Sequence, residues 1–481
     1  MTPRRFRGSP RQPNRPATAA ELTVAQSPKV AKLFARGFAL HKRGLLNEAL
    51  QVYVRVLKAE PRNPIALHYA ALLGRTVNQH AKQNGRPSAD GQVMRLMALS
   101  IAAAPHNAGA VHNFAKFKHD AGELADAIQL YRNALAIDPQ QGESWMHLGG
   151  ALGALGDRAS ADEAWSRAME CPTTTPDARF NVSFLRLLRG EYARGFADYE
   201  SRWDCPEFLH SYGRPDLPWP RWTISAGGRL LLHAEQGAGD ALMMLRYLPL
   251  VRPLVDALAI EVPKGLMSLV AAVCAAHREL ADVTVLERGV TIERSAFDHQ
   301  LPMLSLPAVF GTTLETIPPP VEWRPVQADG EPISVESGRI GLCWRGSTTH
   351  SNDRTRSMPF EACFPLLDLA DSHGLTFQSL QFGYTVSEPL DACPTGDFLE
   401  TARQIARCET VVSCDTSVAH LAGSMGVKTL VMLPFIAEWR WLLDRSGSPW
   451  YPSATLVRQR AAGDWGSAIE QVTRAILDTR R

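Results

Sequence analysis

Gly122, Gly156 and Gly190 stand 34 residues apart, and Tyr131, Trp165 and Tyr199 keep the same interval. Ala127 with Ala161, Ala134 with Ala168, and Pro105 with Pro139 hold the register. An interval of this length is one helix–turn–helix unit, and such a unit cannot bury its apolar face alone, so copies must stack. The glycine closes the first helix, the alanine lets two helices approach, and the aromatic fills the space between units. An earlier copy carries Gly37, Gly44, Ala49, Tyr53 and Pro61, offset from the Gly122 copy by 78, which is 34 plus 44. One unit therefore holds about ten extra residues, expected around Asn78 to Asp90.

This period and its residues resemble the tetratricopeptide repeat, in four full copies and a degenerate fifth ending at YESRW. Stacked helix pairs form a concave groove, so the resemblance implies a protein or peptide partner held along residues 29–205. Residues 1–28 scatter Arg4, Arg5, Arg7, Arg11 and Arg15 among prolines and are expected to form a disordered basic arm. Residues 206–227 carry Pro206, Pro215, Pro218 and Pro220 with Trp219 and Trp222, the composition of a stiff aromatic linker.

At 481 residues the chain has room for roughly three domains. A net charge of +2 argues against nucleic-acid binding spread over the surface. The longest apolar run, Leu266 to Ala276, falls short of the ~20 residues that span a bilayer, so no integral membrane segment is expected. Eight cysteines form no CxxC pair and have no zinc-ligand spacing. Cys274, Cys343 and Cys414 lie in apolar runs and read as reduced core residues, which points to the cytoplasm.

From Leu230 the chain reads LLLHAEQGAGDALMMLRYLP, a strand, a glycine turn and a helix. That order opens a Rossmann-like half whose turn faces a ligand at the carboxyl edge of the sheet. Gly237 and Gly239 let a substrate approach the backbone, and the helix N-terminus favours an anion. Residues 228–335 make one such half of four or five strands, with further strands expected at Ala257 to Val262, Val283 to Leu286 and Leu301 to Pro307. Residues 336–481 make a second, with strands at Ile340 to Trp344, Phe377 to Gln381, Thr410 to Ser413 and Thr429 to Leu433. The last helix, Trp465 to Leu477, is expected to reach back across the first half.

Two halves in series imply a cleft. Arg345, Arg354 and Arg356 fall in one polar loop and suit a diphosphate through forked, charge-assisted bonds, with Asp353 able to pair with one of them. In the turn CDTSVAHLAG, Asp415 or Thr416 can cap the helix that follows. Its free N–H groups, the Thr416 and Ser417 hydroxyls and His420 suit a phosphate or sugar-phosphate. The chain has no GxSxG, no GxxxxGK[ST] and no DxD. It therefore lacks the parts of an α/β-hydrolase, of a P-loop NTPase, and of a transferase that holds its diphosphate on a carboxylate-bound metal.

The segments EQGAGD with RYLP, CWRG with DRTRS, SLQ, DTSVAHLAGSMG, EWRWLL and SPWYP follow in that order from Gly228 to about Gln471. Together they are similar to glycosyltransferase family 9, the heptosyltransferase-like group, as found in bacterial tetratricopeptide proteins. Ser347 stands where an asparagine is usual, Glu400 where an aspartate is, and Lys428 where a proline is. The resemblance implies an all-α tetratricopeptide solenoid followed by an α/β GT-B pair of Rossmann-like domains. It implies a nucleotide-diphosphate sugar as donor, no metal and no cofactor. On this likeness Asp240 is the base for the acceptor hydroxyl, and Gly237 and Gly239 shape the turn around the reacting sugar. Trp344, Arg345, Gly346, Arg354 and Arg356 line the donor side, and Gln381, Asp415, Thr416 and His420 hold nucleotide, sugar or phosphate. Two other readings remain: a non-catalytic scaffold with a degenerate GT-B module, and a glycosyltransferase of the glycolipid or lipopolysaccharide type.

Overall fold

The computed structural model describes residues 27–83, 90–172, 175–214, 216–327, 329–347, 353–384, 390–391 and 396–478, without the side chains of 79–83, 207 and 354. The expected basic arm lies outside the described residues up to position 26. The chain divides into two units, 1–174 and 175–481.

Four helix pairs build the first unit: α1 (Pro28–Lys42) with α2 (Leu46–Ala59), α3 (Pro64–Gln83) with α4 (Asp90–Ala103), α5 (Ala108–Asp120) with α6 (Leu124–Ile137), and α7 (Gly142–Ala154) with α8 (Arg158–Glu170). Gly44, Gly122 and Gly156 take left-handed φ values of 74°, 84° and 89°, which a side chain would resist. After each glycine the next N–H reaches back five residues, from Leu45 to Leu40, Glu123 to Lys118 and Asp157 to Leu152, and satisfies a carbonyl the helix end leaves open. Ala49, Ala127 and Ala161 are buried at the helix crossings, with Tyr53 and Tyr131 filling the gaps. A Cβ on Gly149 would run into the Trp165 indole, so the close approach of α7 and α8 requires glycine there. This is a helical repeat array of the tetratricopeptide kind. The extra residues of the long unit lengthen α3 to 20 residues, against 15, 13 and 13 for α1, α5 and α7. The remainder, at 84–89, lies outside the described residues.

The pair α9 (Pro176–Leu188) and α10 (Tyr192–Tyr199) repeats the pattern, with Gly190 at φ 81°, but belongs to the second unit. Trp450 Nε1 donates to the Tyr192 hydroxyl at 2.9 Å, and Trp439 and Trp450 both meet the Phe196 ring edge-on. These aromatic contacts between α10 and the C-terminal loops explain the placement.

After α11 (Pro206–Tyr212) a four-stranded parallel sheet forms from β1 (Arg229–His233), β2 (Ala257–Val262), β3 (Thr284–Glu287) and β4 (His299–Pro302), in the order β3-β2-β1-β4. The run Leu301 to Pro307 contributes only its first two residues to β4; Met303–Ser305 is a 3-10 turn and Leu306–Val309 a helical turn. Pro307 has no N–H for a ladder, which fits a helix start better than a strand. The segment before β1 runs beside the β4 edge of this sheet without adding a strand. Arg221 bridges Gln300 in parallel, and Trp219 Nε1 donates to the Arg294 carbonyl at 2.9 Å.

Two arginines from the segment before β1 pair with two buried glutamates, Glu235 just past β1 and Glu261 within β2. Arg202, on the 3-10 turn Glu200–Asp204, places Nη2 at 3.0 Å from Glu235 Oε1 and Nε at 3.2 Å from Oε2, with neither side chain exposed. Arg202 Nη2 also donates to Ser305 Oγ at 2.8 Å, and its guanidinium lies 4.5 Å from the Tyr199 ring centre. Arg214 donates through Nη2 to Glu261 Oε1 at 3.0 Å, Glu261 being fully buried in the middle of the sheet.

A second parallel sheet holds β5 (Glu336–Cys343), β6 (Thr376–Ser379), β7 (Leu390–Asp391), β8 (Cys408–Cys414), β9 (Thr429–Leu433) and β10 (Ala454–Arg458), in the order β10-β9-β8-β5-β6-β7. The chain enters at the centre with β5, moves outward through β6 and β7, then returns to the other side of β5 with β8. Sheets wound both ways from the centre bind ligands at that switch point. The last helix, Trp465–Leu477, packs on this sheet rather than on the first. Trp465, Ala468, Ile469, Val472 and Ile476, one apolar stripe, join Leu430, Met432 and Val457 in its core. All seven described cysteines are free and buried, and no helix among the described residues is long and apolar enough to cross a membrane.

Removing one partner of a buried ion pair strands the other, at a cost of about 3–5 kcal/mol. Arg202→Met should therefore lower unfolding stability by about that amount, while Arg202→Met with Glu235→Leu recovers most of it. Denaturant melts of the three proteins test this. A loss under about 1 kcal/mol in the single variant means the pair carries no such weight.

Candidate functional site

The glycine turn after β1 leads into α12 (Ala238–Met244), with Gly237 as N-cap. Asp240, one turn in, returns Oδ2 to accept the Gly237 N–H at 3.0 Å. The turn after β8 leads into α14 (Ser417–Ser424), counting Met267–Ala275 as α13. Thr416 is the cap here, its hydroxyl accepting the Val418 N–H at 3.2 Å, and Asp415 is not. The two turns meet. A Cβ on Gly239 would lie 2.7 Å from His420 Cδ2, so glycine is what lets α12 pass against the His420 ring.

Around this meeting point the second sheet delivers its strand ends. Trp344, one residue past β5, is buried beneath Phe360 and Tyr384, and its carbonyl accepts the Met358 N–H at 2.8 Å. The Arg345 N–H donates to Gln381 Oε1 at 2.9 Å, tying the end of β5 to the end of β6. The Gly346 N–H donates to Ser357 Oγ at 2.9 Å, and a Cβ on Gly346 would strike the Arg356 guanidinium at 2.6 Å. Arg356 lies flat on that glycine and donates through Nη1 to the Asp415 carbonyl at 3.2 Å. It stands on a short helix, Asp353–Arg356, with Asp353 Oδ1 3.9 Å from its Nε. The expected single arginine loop is thus partly helical. The Arg354 side chain and residues 348–352 lie outside the described residues. Apart from Arg354, every residue expected at the site lies in this one neighbourhood, at the carboxyl ends of β1, β5, β6 and β8.

Three residues not singled out from the sequence complete it. Arg440 pairs through Nη2 with Asp240 Oδ1 and through Nη1 with Glu438 Oε2, the latter at 2.7 Å. Trp441 stacks on His420, ring centres 5.2 Å apart, and the Tyr451 hydroxyl shares a 2.9 Å hydrogen bond with His420 Nδ1. Their signal was present: Arg440 and Trp441 come from EWRWLL and Tyr451 from SPWYP, segments that match as patterns but suggest no chemistry by spacing.

Burial controls the protonation of this wall. Desolvation, helped by the Arg440 charge, pushes His420 down to about 3, so its imidazole is neutral. Desolvation and then the neighbouring Glu438 push Asp415 up to about 7, with Arg440 opposing. A neutral His420 set 4.0 Å from Asp415 and wedged under Gly239 offers shape and a hydrogen bond, not a proton acceptor with reach into solvent. Among the described residues no three His, Cys, Asp or Glu are grouped to hold a metal ion.

No family model matches the chain. Protein FlbA of Caulobacter vibrioides is 22% identical, across 78% of this chain and 74% of that protein. Its name states no activity. Among solved structures, the tetratricopeptide protein TTC0263 of Thermus thermophilus is 21% identical, covering 38% of this chain and 94% of its own, with a TM-score of 0.30. MamA 41-end from Desulfovibrio magneticus RS-1 is 23% identical over 29% of this chain and 74% of its own, with a TM-score of 0.26. The repeat architecture described above rests on this chain's own helix pairs and turns, not on these likenesses.

The depressed His420 pKa has a sign that can be checked. Unfolded, the imidazole titrates near 6.5, whereas the folded ring stays neutral down to about 3. Between those values the unfolded state binds the extra proton, so this group's contribution is whole above about pH 6.5 and is lost as pH falls. The stability lead of wild type over His420→Gln should shrink by about 2 kcal/mol between about pH 7 and pH 5. A lead that stays constant in chemical denaturation at both pH values contradicts a neutral buried His420.

Proposed function

We propose that the second unit is a metal-independent glycosyltransferase of the GT-B kind, and that the repeat array recruits the macromolecule it modifies. The observation that carries this reading is the junction of Gly239 with His420. It joins two strand–turn–helix elements from different parallel sheets, one bearing a carboxylate and the other a ring of fixed donors. In the reaction, the acceptor oxygen bonds to the anomeric carbon of the donor sugar while the bond from that carbon to the diphosphate breaks. Asp240 takes the proton of the acceptor hydroxyl, and the electron pair leaves with the nucleoside diphosphate. Its growing charge meets Arg356 and the first turn of α14. Donors already aimed in a site that excludes water stabilise such charge more than water does.

A second reading has one observation in its favour. Asp240 is already engaged by Arg440, as a purely structural carboxylate would be. On that reading the protein is a scaffold whose array binds partners and whose cleft binds no donor.

Thermal-shift screening against ADP-, GDP- and UDP-sugars separates the two, since a ligand at ~100 times its Kd stabilises by about 2.7 kcal/mol. The enzyme reading expects one class to shift the melt, with transfer to protein that survives EDTA. Asp240→Asn should then keep a folded protein and lower turnover by roughly 10²–10⁴, because the asparagine oxygen can still accept the Gly237 N–H but takes no proton from the acceptor. Full turnover in that variant reduces Asp240 to a cap. Activity lost to EDTA and restored by Mn²⁺ refutes the metal-free reaction.

A further inference from the structure

Both oxygens of the Asp240 carboxylate are occupied. Oδ2 accepts the Gly237 N–H at 3.0 Å, a cap that a base can keep, while Oδ1 is held by the Arg440 guanidinium. The Arg440 and Asp240 side chains are only 10% and 15% exposed, so water screens the pair weakly. Arg440 is shared. Its Nη1 reaches Glu438 Oε2 at 2.7 Å and its guanidinium lies 4.5 Å from the Trp439 ring centre, so one cation stands between two carboxylates on an aromatic floor. Across the site Arg356 lies against Gly346 and donates through Nη1 to the Asp415 carbonyl at 3.2 Å, with Asp353 Oδ1 3.9 Å from its Nε. A carboxylate oxygen that already accepts from a guanidinium is not open to a hydroxyl proton until that partner moves away. A diphosphate offers a guanidinium a more highly charged partner with matching forked geometry.

We propose that a nucleoside diphosphate group draws Arg440 away from Asp240, so that donor binding itself releases the base. This rests on the glycosyltransferase reading and adds an order to it. Without donor, Asp240 is locked in its ion pair and the acceptor hydroxyl finds no base. With donor, Arg440 turns to the phosphates, and Asp240 keeps only the Gly237 cap. One residue then serves as phosphate ligand and as gate, and the groups it passes between, Asp240, Glu438 and the diphosphate, are all anionic.

The exchange has a thermodynamic signature, since the diphosphate must compete with Asp240 for Arg440. ADP, GDP, UDP and CDP are titrated by calorimetry, at fixed ionic strength, into wild type, Asp240→Asn, Arg440→Ala and the double variant. With the nucleotide that binds wild type best, Asp240→Asn should bind about tenfold tighter and Arg440→Ala at least tenfold weaker. The gain from Asp240→Asn should vanish when Arg440 is absent. Arg440→Gln, which keeps a donor for Asp240 without the charge, stands in if the alanine variant does not fold. An Asp240→Asn gain that persists without Arg440 is a general charge effect and overturns the exchange, as does no gain at all. If no nucleoside diphosphate binds any of the four proteins, the glycosyltransferase reading fails and this inference falls with it.

Discussion

The second unit depends on two buried glutamates, each held by an arginine: Glu235 by Arg202, both closed to solvent, and Glu261 by Arg214, whose side chain is 12% exposed. Glu235 lies in the turn after β1 and Glu261 inside β2, and neither can be left ionised in the interior without a partner. Arg202 and Arg214 supply the partners, both from the stretch between the last helix pair and β1. The α/β part is therefore incomplete if the chain is started at its first strand. The fifth helix pair looks like one more repeat, yet it is bound into the second unit by the same logic. Its aromatic face covers Trp439 and Trp450, and the turn that follows it carries Arg202.

The anchor bears directly on the site. Glu235 is held by three bonds from Arg202, and Gln236 donates to the Tyr199 hydroxyl at 2.7 Å. Gly237, Gly239 and Asp240 follow immediately, so the glycine turn is fixed from behind before it meets His420. That support lets a turn with two glycines, otherwise the loosest kind of backbone, hold a carboxylate in one place. On the facing side the fixed elements are cap, ring and guanidinium: Thr416, His420 and Arg356.

What could be read from the sequence follows the range of the forces involved. The repeat, the glycine-closed turns and the strands at 257–262 and 429–433 rest on local periodicity, and the structure has them in place. The run Leu301 to Pro307 misled because strand and helix share an apolar composition over so few residues, and only its proline spoke for a helix. The final helix had a legible stripe, but a stripe does not say which sheet it will cover. Arg202, Glu235 and Arg440 were not legible as functional parts at all. Their partners lie 33 and 200 residues away, and an arginine in a charged segment carries no mark of being buried. Strands β7 and β10 were missed, β7 having only two residues to show a period.

On the proposed function, the turns that open α12 and α14 enclose one nucleotide-diphosphate site at the β5–β8 switch point. Co-crystallisation with the nucleoside diphosphate that most raises the melting temperature tests it directly. Phosphate density is expected between Gly346 and the first turn of α14, within hydrogen-bond reach of Arg356 and Arg440. Nucleotide bound along the groove of α1–α8, or a β5–β8 cleft that stays empty at saturating ligand, would contradict it.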